Sequence, residues 1–179
     1  IELTRHARRV GADGALLISP YYNKPTQEGI VAHYEAIARD TGFPLVVYNI
    51  PARTASNILP ATLARLADVE HVVGVKEASG DIAQISEVVA QCPEAFAVLS
   101  GDDALTLPVL AVGGRGVIST ASNVAPREVV ELVRAFRAGD HAQALRIHQR
   151  LLPLIKVLFC ETTPIPVKAA LVLQGGIRD

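Results

Sequence analysis

Lys76 is the residue of this sequence whose type and position most strongly indicate chemistry. The chain has only four lysines beside thirteen arginines, and Lys76 closes the apolar run 71–76. An ammonium at the end of a buried strand loses hydration, which lowers its pKa and favours the neutral amine. A neutral lysine amine can attack a carbonyl group and form a Schiff base. The pattern also leaves open a plainer interpretation, in which Lys76 pairs with Glu77 at the edge of a sheet.

Two further polar residues lie at the end of the preceding apolar run and just after it. Tyr48 ends the run 44–48, and Arg53 lies five residues later, in a predicted loop held by Pro51. A positioned phenol can carry protons to and from the oxygen of a carbinolamine, and a guanidinium can bind a carboxylate through two parallel hydrogen bonds. Spacing alone leaves one alternative open for each residue: Tyr48 as a core tyrosine and Arg53 as part of a surface salt bridge.

The elements that would position these residues are short and regular. Five apolar runs do not alternate with polar residues, which predicts strands covered on both faces by helices. They are 14–19, 44–48, 71–76, 95–100 and 116–120. Helical periodicity predicts helices at 26–39, 59–67, 81–90, 104–112, 126–138, 140–159 and 164–173. The strand starts recur at about 20 to 30 residues, which is the length of one βα unit.

A repeated βα pattern fits either an open doubly wound sheet or a (β/α)₈ barrel. The glycine-rich segment 113–116 precedes a strand, so it does not match the phosphate-binding turn of dinucleotide folds. A complete barrel needs about 250 residues and eight strands. The barrel interpretation therefore predicts an α/β partial (β/α)₈ TIM barrel, strands 4–8, truncated at its N-terminus. We expect residues 1–138 to form this C-terminal part of the barrel and residues 139–179 to begin a C-terminal helical region.

Composition argues against several classes of protein. Lys and Arg total 17 against 18 Asp and Glu, so we expect no nucleic-acid partner. No apolar stretch reaches about 18 residues, so we expect no membrane span. The five histidines form no ligand cluster, so we expect no metal. Two cysteines, Cys92 and Cys160, are too few for a disulfide scaffold, and we expect both to be reduced and half-buried. Asp102 and Asp103 are typical of a helix N-cap followed by an acid of the first turn.

Four motifs in this order closely resemble the dihydrodipicolinate synthase family. They are Ser-Pro-Tyr-Tyr-Asn-Lys-Pro at 19–25, Tyr-Asn-Ile-Pro-Ala-Arg-Thr at 48–54, Gly-Val-Lys-Glu-Ala-Ser-Gly at 74–80 and Leu-Ser-Gly-Asp-Asp at 99–103. The resemblance covers essentially the whole chain. It places the chain among the pyruvate-dependent class I aldolases, the superfamily that includes N-acetylneuraminate lyase.

The resemblance implies a lyase that needs no cofactor. Such an enzyme condenses pyruvate, held as a Schiff base on Lys76, with L-aspartate 4-semialdehyde to give 4-hydroxy-tetrahydrodipicolinate in the diaminopimelate and lysine pathway. It also implies a cytoplasmic homo-oligomer, a dimer or a tetramer. The family's Gly-Thr-Thr-Gly-Glu segment, which binds the pyruvate carboxylate, does not occur in this sequence.

The motif positions carry implied roles for six further residues. Tyr48 matches the proton-transferring tyrosine beside the lysine, and Tyr22 matches a tyrosine that reaches into the neighbouring subunit's site. Arg53 matches the arginine that binds the semialdehyde carboxylate. Three other positions are implied to contact ligands, two in the pyruvate pocket and one, the last named, in the site of the inhibitor lysine: Gly101, Ile118 and Tyr21.

Two rival interpretations stay open at this point. A sister pyruvate aldolase, such as N-acetylneuraminate lyase or a 2-keto-3-deoxy sugar acid aldolase, would share Lys76 and Tyr48, but we expect it to lack a carboxylate-binding arginine at position 53. The other rival is an inactive, truncated barrel fragment, because five strands of eight leave two open sheet edges.

Overall fold

A computed structural model describes residues 1–178 as five parallel strands that alternate with helices. The strands are β1 (Ala15–Ile18), β2 (Leu45–Asn49), β3 (Val72–Glu77), β4 (Ala97–Ser100) and β5 (Gly116–Val117). The α-helices are α1 (Glu2–Arg9), α2 (Gln27–Thr41), α3 (Pro51–Thr54), α4 (Pro60–Ala67), α5 (Ile82–Gln91), α6 (Thr106–Ala111), α7 (Pro126–Arg137), α8 (His141–Leu158) and α9 (Ile165–Leu173). Short 3-10 turns occupy Asp103–Leu105 and Ala121–Asn123.

The five strands lie in the sheet in chain order, β1-β2-β3-β4-β5, and every pair is parallel. Consecutive βα units add strands in this order around a barrel, whereas a doubly wound sheet reverses its order at a switch point. The prediction of an α/β partial barrel is confirmed, and the doubly wound alternative is wrong.

One face of the sheet packs against helices and forms the main core. Strand residues Leu45, Val47 and Val75 have no exposed surface, and they belong to one apolar cluster with Ile30 of α2 and Leu63 of α4. Burial of such side chains contributes about 1.5–3 kcal/mol each. A second apolar cluster joins helices α6 to α9, and its largest fully buried side chains are Leu132, Ile147 and Leu158.

The opposite face of the sheet is open within residues 1–178. It carries Leu16, Ile18 and Val73, whose exposed fractions are 44%, 38% and 43%. Tyr48 and Lys76 also project from this face and are half-buried. This face turns inward in a barrel, so Tyr48 and Lys76 lie on the inner side of the barrel wall.

Local signals place most element boundaries. The Thr26 hydroxyl caps α2 by accepting the Gly29 N–H at 3.2 Å, and Pro60 and Pro126 each occupy a first helical turn. The loop expected around Arg53 is instead helix α3, which Pro51 begins.

The expectation for the cysteines holds for half-buried Cys92 but is wrong for Cys160, which is exposed. None of the helices described is both long enough and apolar enough to cross a lipid bilayer.

Candidate active site

A cavity of about 1000 Å³ lies at the carboxyl ends of the strands. The first part of its wall comes from the strand ends and the segments that follow them: Ile18, Tyr48, Ile50, Ala52, Arg53, Lys76, Ala78, Gly101, Asp102, Ala104 and Thr120. The second part comes from α8 and the segment after it: Leu152, Ile155, Lys156, Phe159 and Thr163. Four of the predicted site residues therefore share one cavity, namely Lys76, Tyr48, Arg53 and Gly101.

Lys76 and Tyr48 face each other across neighbouring strands. They are direct partners in the β2–β3 register, and the Lys76 amine nitrogen lies 4.2 Å from the centroid of the Tyr48 ring. Burial lowers the pKa of Lys76, and the negative charge of Asp103 opposes this shift. Burial raises the pKa of Tyr48, and the positive charge of Arg53 opposes that shift. Burial therefore raises the fraction of neutral amine at Lys76 and keeps the Tyr48 phenol protonated, and imine formation uses this pairing.

The alternative pairing of Lys76 with Glu77 is wrong. Consecutive side chains of a strand point to opposite faces, so Glu77 lies on the helix-covered face, where it has no exposed surface. Its carboxylate accepts hydrogen bonds from the Asn49 side chain and from the Ser79 backbone N–H instead. Among residues 1–178, no carboxylate lies within salt-bridge distance of the Lys76 amine.

Gly101 provides the space through which the Lys76 side chain reaches the cavity. A Cβ atom at this position would lie 3.1 Å from both Cγ and Cε of Lys76 and 2.7 Å from Cβ of Ala78. The Gly101 N–H donates to the Glu77 carbonyl at 2.7 Å, which continues the β3–β4 pairing beyond the strand ends. Gly101 is therefore a steric requirement for the lysine's position.

Asp103 is a site feature that sequence reasoning missed. Asp102 caps the following 3-10 turn through the Ala104 N–H at 2.8 Å, as expected. Asp103, however, is buried and accepts hydrogen bonds from the hydroxyl of Ser119 and from the backbone N–H groups of Thr120 and Ala121. Its carboxylate thus ties the end of β4 to the segment after β5, which brings Thr120 to the cavity wall.

Arg53 projects from α3 and is exposed at the cavity wall. The surface salt bridge that the spacing allowed does not occur within the described part of the chain, since no carboxylate there lies within 4.0 Å of the Arg53 guanidinium. The guanidinium and its donors are therefore available to a ligand carboxylate.

Three predicted site residues lie outside this cavity wall. Ile118 is half-buried, and its backbone N–H donates to the Ser100 carbonyl at 2.9 Å. Tyr21 and Tyr22 lie in the loop after β1, with exposed fractions of 64% and 89%. Tyr22 has a φ of 67°, an uncommon conformation for a bulky side chain. Neither tyrosine lines the cavity that contains Lys76.

The sequence also does not reveal that α8 forms part of the cavity wall. Leu152, Ile155 and Lys156 follow the ordinary spacing of an amphipathic helix, so nothing in the sequence separates them from core and surface residues of the same helix. Their role in the cavity depends on how α8 lies over the strand ends. Among the residues that the structure describes, no group of three or more metal-binding side chains comes together.

The parallel strand order, the ligand-sized cavity at the carboxyl ends and the half-buried lysine define the class of this protein. It is an α/β protein whose parallel strands form part of a barrel, with a half-buried lysine in the cavity at their carboxyl ends. Comparison with known proteins agrees. The chain belongs to the dihydrodipicolinate synthetase family, whose model matches residues 1–178.

Individual relatives resemble the chain over almost its whole length. It is 57% identical over 178 residues to the 4-hydroxy-tetrahydrodipicolinate synthase of Nitratidesulfovibrio vulgaris, covering 99% of this chain and 61% of that protein. The crystal structure of dihydrodipicolinate synthase from Thermotoga maritima matches with a TM-score of 0.97 and 49% identity, over 99% of this chain and 61% of that one. The chain therefore spans about three fifths of the length of these relatives.

A third similar protein is the chloride-inhibited dihydrodipicolinate synthase of Acinetobacter baumannii, whose crystal structure is a complex with pyruvate. It matches with a TM-score of 0.94 and 42% identity, covering 99% of this chain and 62% of that chain.

Proposed function

We propose that this protein is a Schiff-base lyase that condenses pyruvate with L-aspartate 4-semialdehyde to give 4-hydroxy-tetrahydrodipicolinate. The observation that carries the proposal is the Lys76 amine, 4.2 Å from the Tyr48 ring centroid in a cavity that also presents Arg53. Its relatives support the substrates, since similar proteins are named as synthases of this product and one of them was solved with pyruvate.

In the proposed reaction, the neutral Lys76 amine attacks the pyruvate ketone to form a carbinolamine. Tyr48 donates a proton to the departing hydroxyl, so that water leaves and an imine forms. Loss of a proton from the pyruvate methyl group gives an enamine. The enamine carbon then forms a bond to the aldehyde carbon of the semialdehyde, whose carboxylate Arg53 binds. Attack of the semialdehyde amino group on the imine carbon closes the ring and releases the Lys76 amine.

We propose that Gly101 and Ile118 border the pyruvate site. For Gly101 the support is its contact with the lysine's path, and for Ile118 it is the hydrogen bond to the Ser100 carbonyl beside Gly101. No cofactor enters these steps, because the protonated imine itself accepts the electron pair of the breaking C–H bond.

Tyr22 is proposed to act in a neighbouring copy of the chain. Its side chain is 89% exposed in a conformation that bulky residues seldom adopt, which is expected of a residue held for contact with a partner. The protein would then be a homo-oligomer, a dimer or a tetramer. Tyr21, which is exposed beside it, is the residue proposed to contact an inhibitory lysine. Mass measurement of the native assembly tests the homo-oligomer. Tyr22→Phe tests the role of the Tyr22 hydroxyl, since this variant should assemble normally and react more slowly.

The primary test is reductive trapping. The chain is incubated with pyruvate and borohydride, and intact mass with peptide mapping locates the adduct. We expect modification at Lys76 alone. Lys156 lines the same cavity and is the internal control, since an adduct there would indicate unspecific reaction of amines. A folded sample without any adduct would contradict the proposal.

Arg53 separates the proposed reaction from that of a sister aldolase. Hydrogen bonds to a charged group contribute about 1.5–3 kcal/mol, so Arg53→Ala should raise the KM for the semialdehyde by about 10- to 100-fold. Pyruvate trapping at Lys76 should be nearly unchanged. If the variant retains the native KM for the semialdehyde, the assignment of Arg53 and the choice of this substrate are wrong.

A further inference from the structure

A buried polar pair lies directly behind Tyr48 and Lys76. Asn49 follows Tyr48, Glu77 follows Lys76, and the two form the next partners in the β2–β3 register. Neither has any exposed surface. Because side chains alternate along a strand, Tyr48 and Lys76 face the cavity while Asn49 and Glu77 face the helices.

The hydrogen bonds of this pair have a fixed direction. The Asn49 side-chain nitrogen donates to both carboxylate oxygens of Glu77, at 3.2 and 3.0 Å, and the Ser79 backbone N–H donates to one of them at 2.7 Å. The Asn49 side-chain oxygen accepts the Ile58 backbone N–H at 3.0 Å. Rotating the Asn49 amide would turn its oxygen towards the carboxylate and its nitrogen towards a donor, so only one orientation satisfies both neighbours.

The pair is also held from the helix side. Asn49 donates to the side-chain oxygen of Asn57 at 2.9 Å, and Asn57 exchanges two hydrogen bonds with Gln84 of α5, at 2.7 and 3.2 Å. The network therefore joins the carboxyl ends of β2 and β3 to the segment before α4 and to α5.

The register of β2 on β3 is irregular before it reaches this pair. Leu45 is opposite Val72, but Val46 is opposite Gly74, so β3 contains one extra residue at this point. A one-residue slip would turn Lys76 away from the cavity, because every side chain beyond it would change face. The regular part of the strands beyond the irregularity is short, and the Asn49–Glu77 bonds fix its register one residue beyond Lys76.

Stability does not explain a carboxylate at position 77. Burial raises the pKa of Glu77, and the surrounding hydrogen bonds only partly oppose this. A folded-state pKa above the ordinary value means that ionised Glu77 lowers the free energy of unfolding as the pH rises through and above that ordinary value. A well-packed apolar pair is often at least as stable as buried polar groups, so the network is better explained by the position that it imposes.

We propose that Asn49 and Glu77 are positioning residues that hold Lys76 opposite Tyr48. They touch no substrate and act through the register of the two strands. The effect on imine formation rests on the proposed function, whereas the effect on strand register does not.

The test reverses the direction of the hydrogen bond between the side chains at positions 49 and 77. Glu77→Gln replaces one of the two carboxylate oxygens that accept from Asn49 by an amide nitrogen, so that one of the two hydrogen bonds becomes a contact between two donors, and Asn49→Asp sets two carboxylates against each other. The double variant N49D/E77Q restores a donor and an acceptor in the reverse sense, and the carboxylate at position 49 still accepts the Ile58 N–H. Rotation of the Asn57 and Gln84 amides together presents the Asn57 nitrogen to this carboxylate and keeps both hydrogen bonds between Asn57 and Gln84. Glu87→Gln is the matched control, because Glu87 is exposed on α5.

We expect each single variant to slow the trapping of pyruvate on Lys76 by about 100-fold, the effect of displacing a reacting group by about 1 Å. We expect the pH midpoint of trapping to shift and amide hydrogen exchange over 45–49 and 72–77 to become faster. The double variant should recover most of the rate and of the exchange protection, and Glu87→Gln should match the native chain. Native trapping in Glu77→Gln, or no recovery in the double variant, would overturn the proposal.

The same variants separate the two proposals. If the native chain traps no pyruvate, the proposed function fails, and positioning is then decided by hydrogen exchange and by the rate at which an amine-reactive ester modifies Lys76. Changes in both measurements in the single variants, reversed in the double variant, would support positioning. Identical values in all variants would refute it.

Discussion

Replacing Gly101 by alanine tests whether Lys76 needs the space beside it. The added methyl group would lie 2.7 Å from Cβ of Ala78 and 3.1 Å from two carbons of Lys76. Carbon atoms pack at about 3.5–4.0 Å, so the first contact must open by about 0.8 Å and the others by about 0.4 Å. Overpacking of this kind costs about 1–3 kcal/mol. At about 2–4 °C per kcal/mol, the Tm should fall by about 2–12 °C.

Gly101→Ala should also slow the reaction of Lys76. A displacement of 1 Å at a reacting group reduces rates by about 100-fold, so a shift of about 0.4 Å at Lys76 should slow pyruvate trapping by about tenfold. Trapping is measured at a temperature well below the Tm of the variant, so that all of the sample is folded.

Gly116→Ala is the matched control for this experiment. Gly116 begins the neighbouring strand β5, and a Cβ there would meet only Cδ2 of Leu99, at an ordinary 3.5 Å. This variant should trap pyruvate at nearly the native rate. Native trapping in Gly101→Ala, or equal losses in the two variants, would refute the steric argument.

Three further predictions concern the charges of the cavity. Lys76→Arg should give no reducible adduct in an intact-mass measurement, because a guanidinium stays protonated. Burial lowers the pKa of Lys76, so the trapping rate should rise with pH to a midpoint below the ordinary value for a lysine amine. Between the lowered pKa and the ordinary pKa, the unfolded chain binds more protons than the folded chain. The contribution of Lys76 to the free energy of unfolding should therefore increase as the pH rises towards that ordinary value. A midpoint at or above the ordinary value would contradict the burial argument. Asp103→Asn should move the midpoint of trapping lower still, because the charge of Asp103 opposes the effect of burial. The same variant should reduce the free energy of unfolding, measured in urea, by about 1–3 kcal/mol, because donors that face Asp103 would lose an acceptor. An unchanged midpoint in this variant would show that Asp103 does not act on Lys76.

Apolar patterns in the sequence are sufficient to predict the strands and the residues that end them. A buried strand is a local run of apolar side chains, and the residue at its carboxyl end can be counted along the chain. Lys76 and Tyr48 are therefore recognisable as strand-end residues from the sequence. The motif that contains Arg53 was found in the same way, although helix α3, which carries the residue, was not.

Which of these residues come into contact depends on the packing of the folded chain. The pairing of Tyr48 with Lys76 depends on the extra residue in β3, and the position of Glu77 behind Lys76 excludes the ion pair that adjacent residues suggested. The buried acceptor role of Asp103 and the part of the cavity wall formed by α8 join segments far apart in the chain. Such contacts depend on how helices and strands pack on one another, and the apolar periodicity of a single element does not contain that information.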